Sequence, residues 1–481
     1  MFKLCSRVTP PRFIWPSFAD LQHLDSSLLR RLYHIPCFRL KPSCSMSSPI
    51  FNREKSLSGA ERATKAPNDP YGFVTFTVFL LGIGSLLPWN FFITATDYWN
   101  YKFRNPDLPK NSTETTALQK SFSSYLAIAS KLPFILFLVV NTMIVEKIRC
   151  ALRIGYCLAG CIILFIVTAT LVKVNTDHYQ KEFLAATLIT VVLINVAGGF
   201  LQGGGTGMAG TFPAKYMTVN VLGQAVGGVF ATLCQLACLL HDTSPTDAAF
   251  LYFSIATVVL VFTLMCFLLL VNMKFYDYYI NGDSVASPSS SEPKVQSKPS
   301  TPLWTIFKSG WKFHVSTISI FWVTLAVFPA VTALIRSSNA DSGSALTTTL
   351  FVPLACFVTF NFTDLFGRLL ARFLPISSTN ANWLLMMAVG RVVFVPLLIV
   401  CNVAPTSRVL TNVIFQHDWQ YIIIMVLFGL SNGYITTLAL TYASKCCAEE
   451  YQEVAGSLAA LFLGLGLALG SVTSYLTIQL L

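Results

Sequence analysis

Charge is scarce in this sequence. Only 11% of its residues are Asp, Glu, Lys or Arg, where a water-soluble globular chain is nearer a quarter. Apolar residues make up 54% of the 481 positions, and the mean hydropathy is +0.61. That much apolar surface exceeds what one aqueous core can hide, so the bilayer is the expected solvent. Metal-type patterns are missing too. The thirteen cysteines include no CxxC pair and no metal-type spacing to histidine. Cys157/Cys161 and Cys234/Cys238 are spaced i, i+4 in apolar stretches and read as small packing residues. The histidines (His23, His34, His178, His241, His314, His417) fall in tails, loops or span ends. A metal or histidine-based catalytic centre within the spans is not expected, and neither is a cofactor.

Acid is scarcer than base: 22 Asp and Glu stand against 33 Lys and Arg, a net charge of +11. A basic surplus raises nucleic acid as a partner, but its distribution argues otherwise. Eleven of the basic residues precede the first apolar run, as expected of the cytoplasmic flank of a membrane protein. The lipid bilayer is the expected partner. No nucleic acid and no obligate protein partner is indicated.

Apolar runs of roughly 20 residues predict eleven spans, at 71–95, 122–145, 152–172, 183–209, 218–240, 247–273, 312–335, 347–373, 383–402, 418–443 and 453–480. The fold class is thus an all-α polytopic membrane protein. Residues 1–70, rich in Pro, Ser and Arg, read as a disordered cytoplasmic tail. A transit peptide, suggested by the absence of any acid before Asp20, is the weaker reading. Residues 71–273 form a first bundle of six helices, 274–311 a cytoplasmic linker with a Ser/Pro-rich middle, and 312–481 a second bundle of five. Gly-rich 200–217 leaves open a broken helix or two closely packed ends. With the N-terminus cytoplasmic, tail and inner loops carry 22 basic residues against eight outside. The sequon Asn111-Ser112-Thr113 lies in an outer loop and agrees with that orientation. Asn361-Phe362-Thr363 is formally another sequon, but it sits inside a span. The C-terminus is expected outside.

With cations at span ends (Arg153, Lys312, Arg372) counted among the loops, all but three of the 33 basic residues fall in the tail or loops, leaving Lys131, Arg368 and Arg391 within spans. A mid-bilayer charge costs about 2.5–3.5 kcal/mol on insertion scales, so each needs a reason. Asp364 and Arg368 are spaced i, i+4, and Asn361 and Phe357 extend the same face. A self-neutralised pair that holds helices together is one reading. A polar wall on a water-filled pathway is the other, and Asn361 favours it by adding neutral hydrogen-bonding capacity. In the first span, Pro88 frees a backbone carbonyl, with Trp89 and Asn90 just after it. In the fourth, Gln202 offers donor and acceptor together, suited to a nucleobase edge. The neighbouring glycines are packing residues and no dinucleotide fingerprint, since no strand precedes them.

Five segments, "GIGSLLPWNFFITA", "FLQGGGTGMAG", "FNFTDLFGR", "RVVFVPLLIVCN" and "GLSNGYITTLAL", together resemble the equilibrative nucleoside transporters, solute carrier family 29. The resemblance runs over residues 70 to 481. It implies a major-facilitator-like 6+5 arrangement of eleven helices, and facilitated, alternating-access diffusion of nucleosides such as adenosine and uridine. It implies a substrate site of Leu86, Trp89, Asn90, Gln202, Phe357, Asn361, Asp364 and Arg368, with Gln202 on the base and Asp364 and Arg368 on the ribose. Gly198, Gly223 and Gly367 would serve helix packing or gating, and Asn111 would be glycosylated. "DLFGR" also resembles the D-x-x-G-R core of the facilitator superfamily's gating motif, so gating and ribose binding compete for the same pair. One departure stands out: Lys131 occupies a position where members carry Met or another uncharged residue. It could pair with Asp364, alter substrate choice or snorkel outward.

The plasma membrane is the expected location. A proton-dependent nucleoside or nucleobase transporter of lysosomal or other intracellular membranes is the alternative, suggested by "DSSLL" at 25–29. A membrane-embedded transferase would need a His, paired acids or a metal cluster near a membrane face, and none is seen. The chain is not expected to be an enzyme.

Overall fold

The computed structural model describes residues 66–106, 116–241, 243–281, 303–403 and 413–480. The N-terminal tail up to residue 65, the sequon at Asn111 and the linker segment 282–302 lie outside the described residues. Among the described residues eleven helices are long and apolar enough to cross a membrane. They comprise α1 (Phe73–Thr94), α2 (Ala117–Ile144), α3 (Cys150–Lys173), α4 (Gln180–Thr211), α5 (Ala214–Leu240), α6 (Pro245–Val271), α7 (Leu303–Val327), α8 (Thr359–Phe373), α9 (Ala381–Gly390), α10 (Asp418–Lys445) and α11 (Gln452–Leu480). Non-α turns interrupt the eighth and ninth spans. Val352–Val358, with Pro353 in its first turn, winds as a π segment into α8, and Arg391–Val393 is a 3₁₀ turn after α9. No strand occurs among the described residues, only isolated bridges between loops. The fold is all-α.

Polar residues outside the apolar runs set several helix starts. Thr116 and Gln119 form a reciprocal capping box at α2, with the Gln119 amide donating to the Thr116 hydroxyl at 3.1 Å. Ser244 caps α6 ahead of Pro245. Asp69 accepts from the Val74 and Thr75 amides at 2.9 and 3.1 Å, satisfying orphan donors at the start of α1. Of the two readings of Gly-rich 200–217, that of two helix ends holds: α4 runs unbroken through Gly203–Gly205 to Thr211, and α5 begins at Ala214 after Pro213. The seventh span starts at Leu303, ahead of the expected 312. "KSGWKFH" reads as a polar flank but continues the helix, with only a local distortion at Gly310. His314, expected at a span end, is consequently fully buried within α7.

Pairing follows a repeat. In the first half α1 packs on α5, α2 on α4, and α3 on α6. Six helices later the pattern recurs: α7 packs on α11 and α8 on α10. The ninth span lacks the sixth-helix counterpart that α3 has, and rests against α7. The spans thus form two repeats in the same order, one of six helices and one of five. The closest crossings depend on glycine. A Cβ on Gly223 would strike the Phe79 carbonyl and Gly82 across α1/α5, and one on Gly433 the Asp364 carbonyl across α8/α10. Small residues let backbones meet where no apolar–water contrast drives helix association. Outward-facing Leu132, Leu136, Met143, Ile163 and Val258 remain exposed, as side chains facing lipid should.

Candidate functional site

The polar face of α8 turns inward, toward α5 and α10. Asp364 and Arg368 are each 5% exposed, and the Arg368 Nε donates to Asp364 Oδ2 at 2.9 Å. The second carboxylate oxygen accepts from Asn432 Nδ2 of α10 at 2.6 Å. Asn432 Oδ1 in turn accepts from Arg391 Nη1 at 2.9 Å and from the Thr324 hydroxyl of α7 at 2.8 Å. Arg391 also donates to the Phe428 carbonyl at 3.3 Å, and its guanidinium sits 4.9 Å from the Phe428 ring centre. One carboxylate thus joins two guanidiniums through a side-chain amide. Such a chain is stable in a low dielectric only when nearly every member is satisfied.

Two bonds carry this face across to the first half. Arg368 Nη1 donates to the Val221 carbonyl of α5 at 2.5 Å. Two turns away, Asn361 Nδ2 donates to the Thr232 hydroxyl of α5 at 3.0 Å and to the Phe357 carbonyl at 2.9 Å. Gly228 lies in the same corner. A Cβ built there would stand 2.6 Å from Asn361 Oδ1 and 3.9 Å from Asn90 Nδ2. Asn90 of α1, Gly228 of α5 and Asn361 of α8 therefore converge. Leu86, four residues before Asn90, shares its side of α1, and both are half-buried. Phe357 is half-buried and meets Phe328 edge-on at 5.8 Å.

Gln202 of α4 is 1% exposed. Its Nε2 donates to Thr206 at 3.3 Å, and its Oε1 accepts from Gln224 Nε2 of α5 at 3.5 Å, which also reaches Asn220 Oδ1 at 3.2 Å. These long bonds form a ladder of neutral amides whose members can re-pair with a planar heterocycle. Lys131 of α2 does not meet Asp364. Its Nζ lies 4.3 Å from the centre of the Trp89 ring, a cation–π contact. Of the glycines, Gly223 and Gly367 sit at tight backbone crossings, Gly367 against the Leu430 carbonyl and the Tyr434 amide. Gly198 does not, for a Cβ there would find only the Phe134 ring at 3.8 Å, and Gly199 makes the close approach instead.

A second cluster joins the halves at the end formed by the connections after α4 and α10. Arg153 of α3 donates to Asn141 of α2 at 2.5 Å and pairs with Glu453 of α11. Lys445 donates to the Gly210 and Phe212 carbonyls at 2.7 and 2.6 Å. Ser457 donates to the Gly203 carbonyl at 3.1 Å. Sequence reasoning placed Arg153 and Lys445 in loops, but each lies within a spanning helix. It also passed over Asn432 and Gln224. Their signal was present: amides inside runs otherwise apolar.

A profile of the nucleoside transporter family matches residues 188–479. The human equilibrative nucleoside transporter 1 is 34% identical over 454 residues, covering 85% of this chain and 98% of its own length. The chain belongs to the equilibrative nucleoside transporter family. Rat equilibrative nucleoside transporter 3 is similar too, at 33% identity with 88% of this chain and 92% of its own covered. A solved bacterial homologue of the human lysosomal transporter Spinster, inward-facing and unoccupied, superposes with a TM-score of 0.46 at 13% identity, covering 85% of this chain and 82% of that one. Family membership makes this chain a transporter and not an enzyme. Helices α5 and α8 make one seam between the halves, α4 and α11 another, and the Asp364–Arg368 face lies on the first.

Proposed function

We propose that this chain carries nucleosides such as adenosine and uridine down their gradients by alternating access, and that the α5/α8 seam is where binding is coupled to movement. The observation behind the coupling is the bonding of the pair. Both Asp364 oxygens are occupied and Arg368 holds a backbone carbonyl of the other half. A ribose supplies hydroxyls that both donate and accept. Seated here, it would take the Val221 carbonyl's place on Arg368 and compete with Asn432 for Asp364. Ribose recognition and gating then become one event, because binding energy is spent releasing an inter-half bond. The Gln202–Gln224–Asn220 ladder faces the base in this reading, with Leu86, Trp89, Asn90, Phe357 and Asn361 lining the path.

The charge bias of tail and loops supports a cytoplasmic N-terminus and an external Asn111 sequon, and the plasma membrane is the location we propose. Uptake of labelled adenosine and uridine in cells lacking nucleoside transport, measured across external pH, tests the assignment. Saturable uptake with little pH dependence is expected, whereas strong stimulation by acid would favour the proton-dependent intracellular alternative. Arg368→Ala should abolish uptake at near-normal surface abundance. Loss of folded protein would instead identify the pair as structural glue.

A further inference from the structure

Lys131 is an ammonium with a π face for a neighbour. It stands on α2, half-buried, over the half-buried Trp89 of α1, the residue after Pro88. Among the described residues no carboxylate and no hydrogen-bond acceptor pairs with it; the buried acid of the site, Asp364, is taken by Arg368 and Asn432. An aromatic ring attracts a cation electrostatically but offers no lone pair, so the three N–H donors of Lys131 are left for something else. An uncompensated ammonium inside a membrane protein is costly. On the reading that Trp89 lines the nucleoside path, the acceptor that answers it comes with the cargo. The same ammonium covers part of the Trp89 face, so a base arriving there meets the N–H groups turned away from the ring.

We infer that Lys131 is a specificity-determining residue that favours nucleosides presenting a keto oxygen over their amino counterparts. The inference rests on the nucleoside-transport reading. Its chemistry is simple: a carbonyl oxygen accepts from an ammonium, whereas an exocyclic amine turns a donor toward donors and a partial positive charge toward a cation. Inosine and adenosine differ by that swap at position 6 and by the N1–H donor that replaces an acceptor with it, and uridine and cytidine differ in the same way at positions 4 and 3. The two pairs therefore isolate the effect from base size and ribose contacts.

The experiment measures kcat/KM for both pairs in wild type, Lys131→Met, Lys131→Gln and Lys131→Arg, each corrected for surface abundance. Wild type should prefer inosine to adenosine and uridine to cytidine by about tenfold, the ratio that roughly 1.4 kcal/mol represents and within reach of one hydrogen bond to a charged donor. Lys131→Met should bring both ratios near one while still carrying all four nucleosides. Lys131→Arg should keep the preference, and Lys131→Gln, neutral but still a donor, should fall between. Unchanged ratios in Lys131→Met or Lys131→Gln overturn the inference. A wild type that carries none of the four refutes the transport reading itself, which is a different outcome.

Discussion

Arg153→Ala should shift the transporter toward the arrangement open at the α4/α11 end. The guanidinium makes three contacts, to the Ile148 carbonyl at 3.2 Å, to Asn141 at 2.5 Å and to Glu453. Only the last spans the halves. The first two belong to one half and are lost equally from both conformations, so they cancel. The Arg153 side chain is 2% exposed and that of Glu453 23%. Breaking a fully buried pair costs about 3–5 kcal/mol. With Glu453 partly wetted, water recovers some of this, leaving roughly 1.5–3 kcal/mol. The pair exists only when this end is closed, so the whole amount acts on the conformational equilibrium. At 1.4 kcal/mol per decade, the population open at this end rises about ten- to a hundredfold. Ser457 is the reporter: it is fully buried and donates across the same seam to Gly203. A Ser457→Cys variant is labelled with a membrane-impermeant maleimide from that side, with Cys5, Cys37, Cys44 and Cys446 replaced by serine. Native Cys447 contributes little background, because burial pushes its thiol up to about 12. Labelling at least several-fold faster in Arg153→Ala is expected. Equal rates with and without Arg153 would refute the idea that this pair holds the end shut.

Gly223→Leu should fold poorly, since even its Cβ collides with backbone across α1/α5; overpacking of this kind costs about 1–3 kcal/mol or more. Gly198→Ala should leave yield and melting temperature nearly unchanged, because its Cβ meets only the Phe134 ring at 3.8 Å. Asn432→Leu strips Asp364 Oδ1 of its donor and Arg391 Nη1 of its acceptor. Each orphaned charged group costs about 1–3 kcal/mol or more, so purified Asn432→Leu should melt lower and transport more slowly; an unchanged melting curve would remove Asn432 from the network.

Most of the fold was legible because lipid imposes one rule on every span. About 20 apolar residues must run without charge, and all eleven runs reappear as helices. The errors have local causes. Lys308, Gly310 and Lys312 look like a flank, yet a spanning helix can begin with cations at the interface. Arg153 and Lys445 looked like loop residues for the same reason, and both point back into the protein. Within the site, helical spacing alone placed Asn361, Asp364 and Arg368 on one face. Their partners could not be read that way. Val221 contributes a carbonyl, which every residue has, and Asn432 reaches Asp364 from a helix 68 positions along the chain. Lys131 shows the limit most clearly. Its sequence makes Asp364 an attractive partner, but the acid is already satisfied within its own half and the cation lies on Trp89.

The most direct test of facilitated nucleoside transport uses purified protein in liposomes with no ion gradient. Labelled uridine should enter saturably, stop when inside and outside concentrations are equal, and exchange faster when unlabelled uridine is loaded on the far side. Absence of entry with folded, inserted protein, or accumulation beyond the external concentration, would contradict the account.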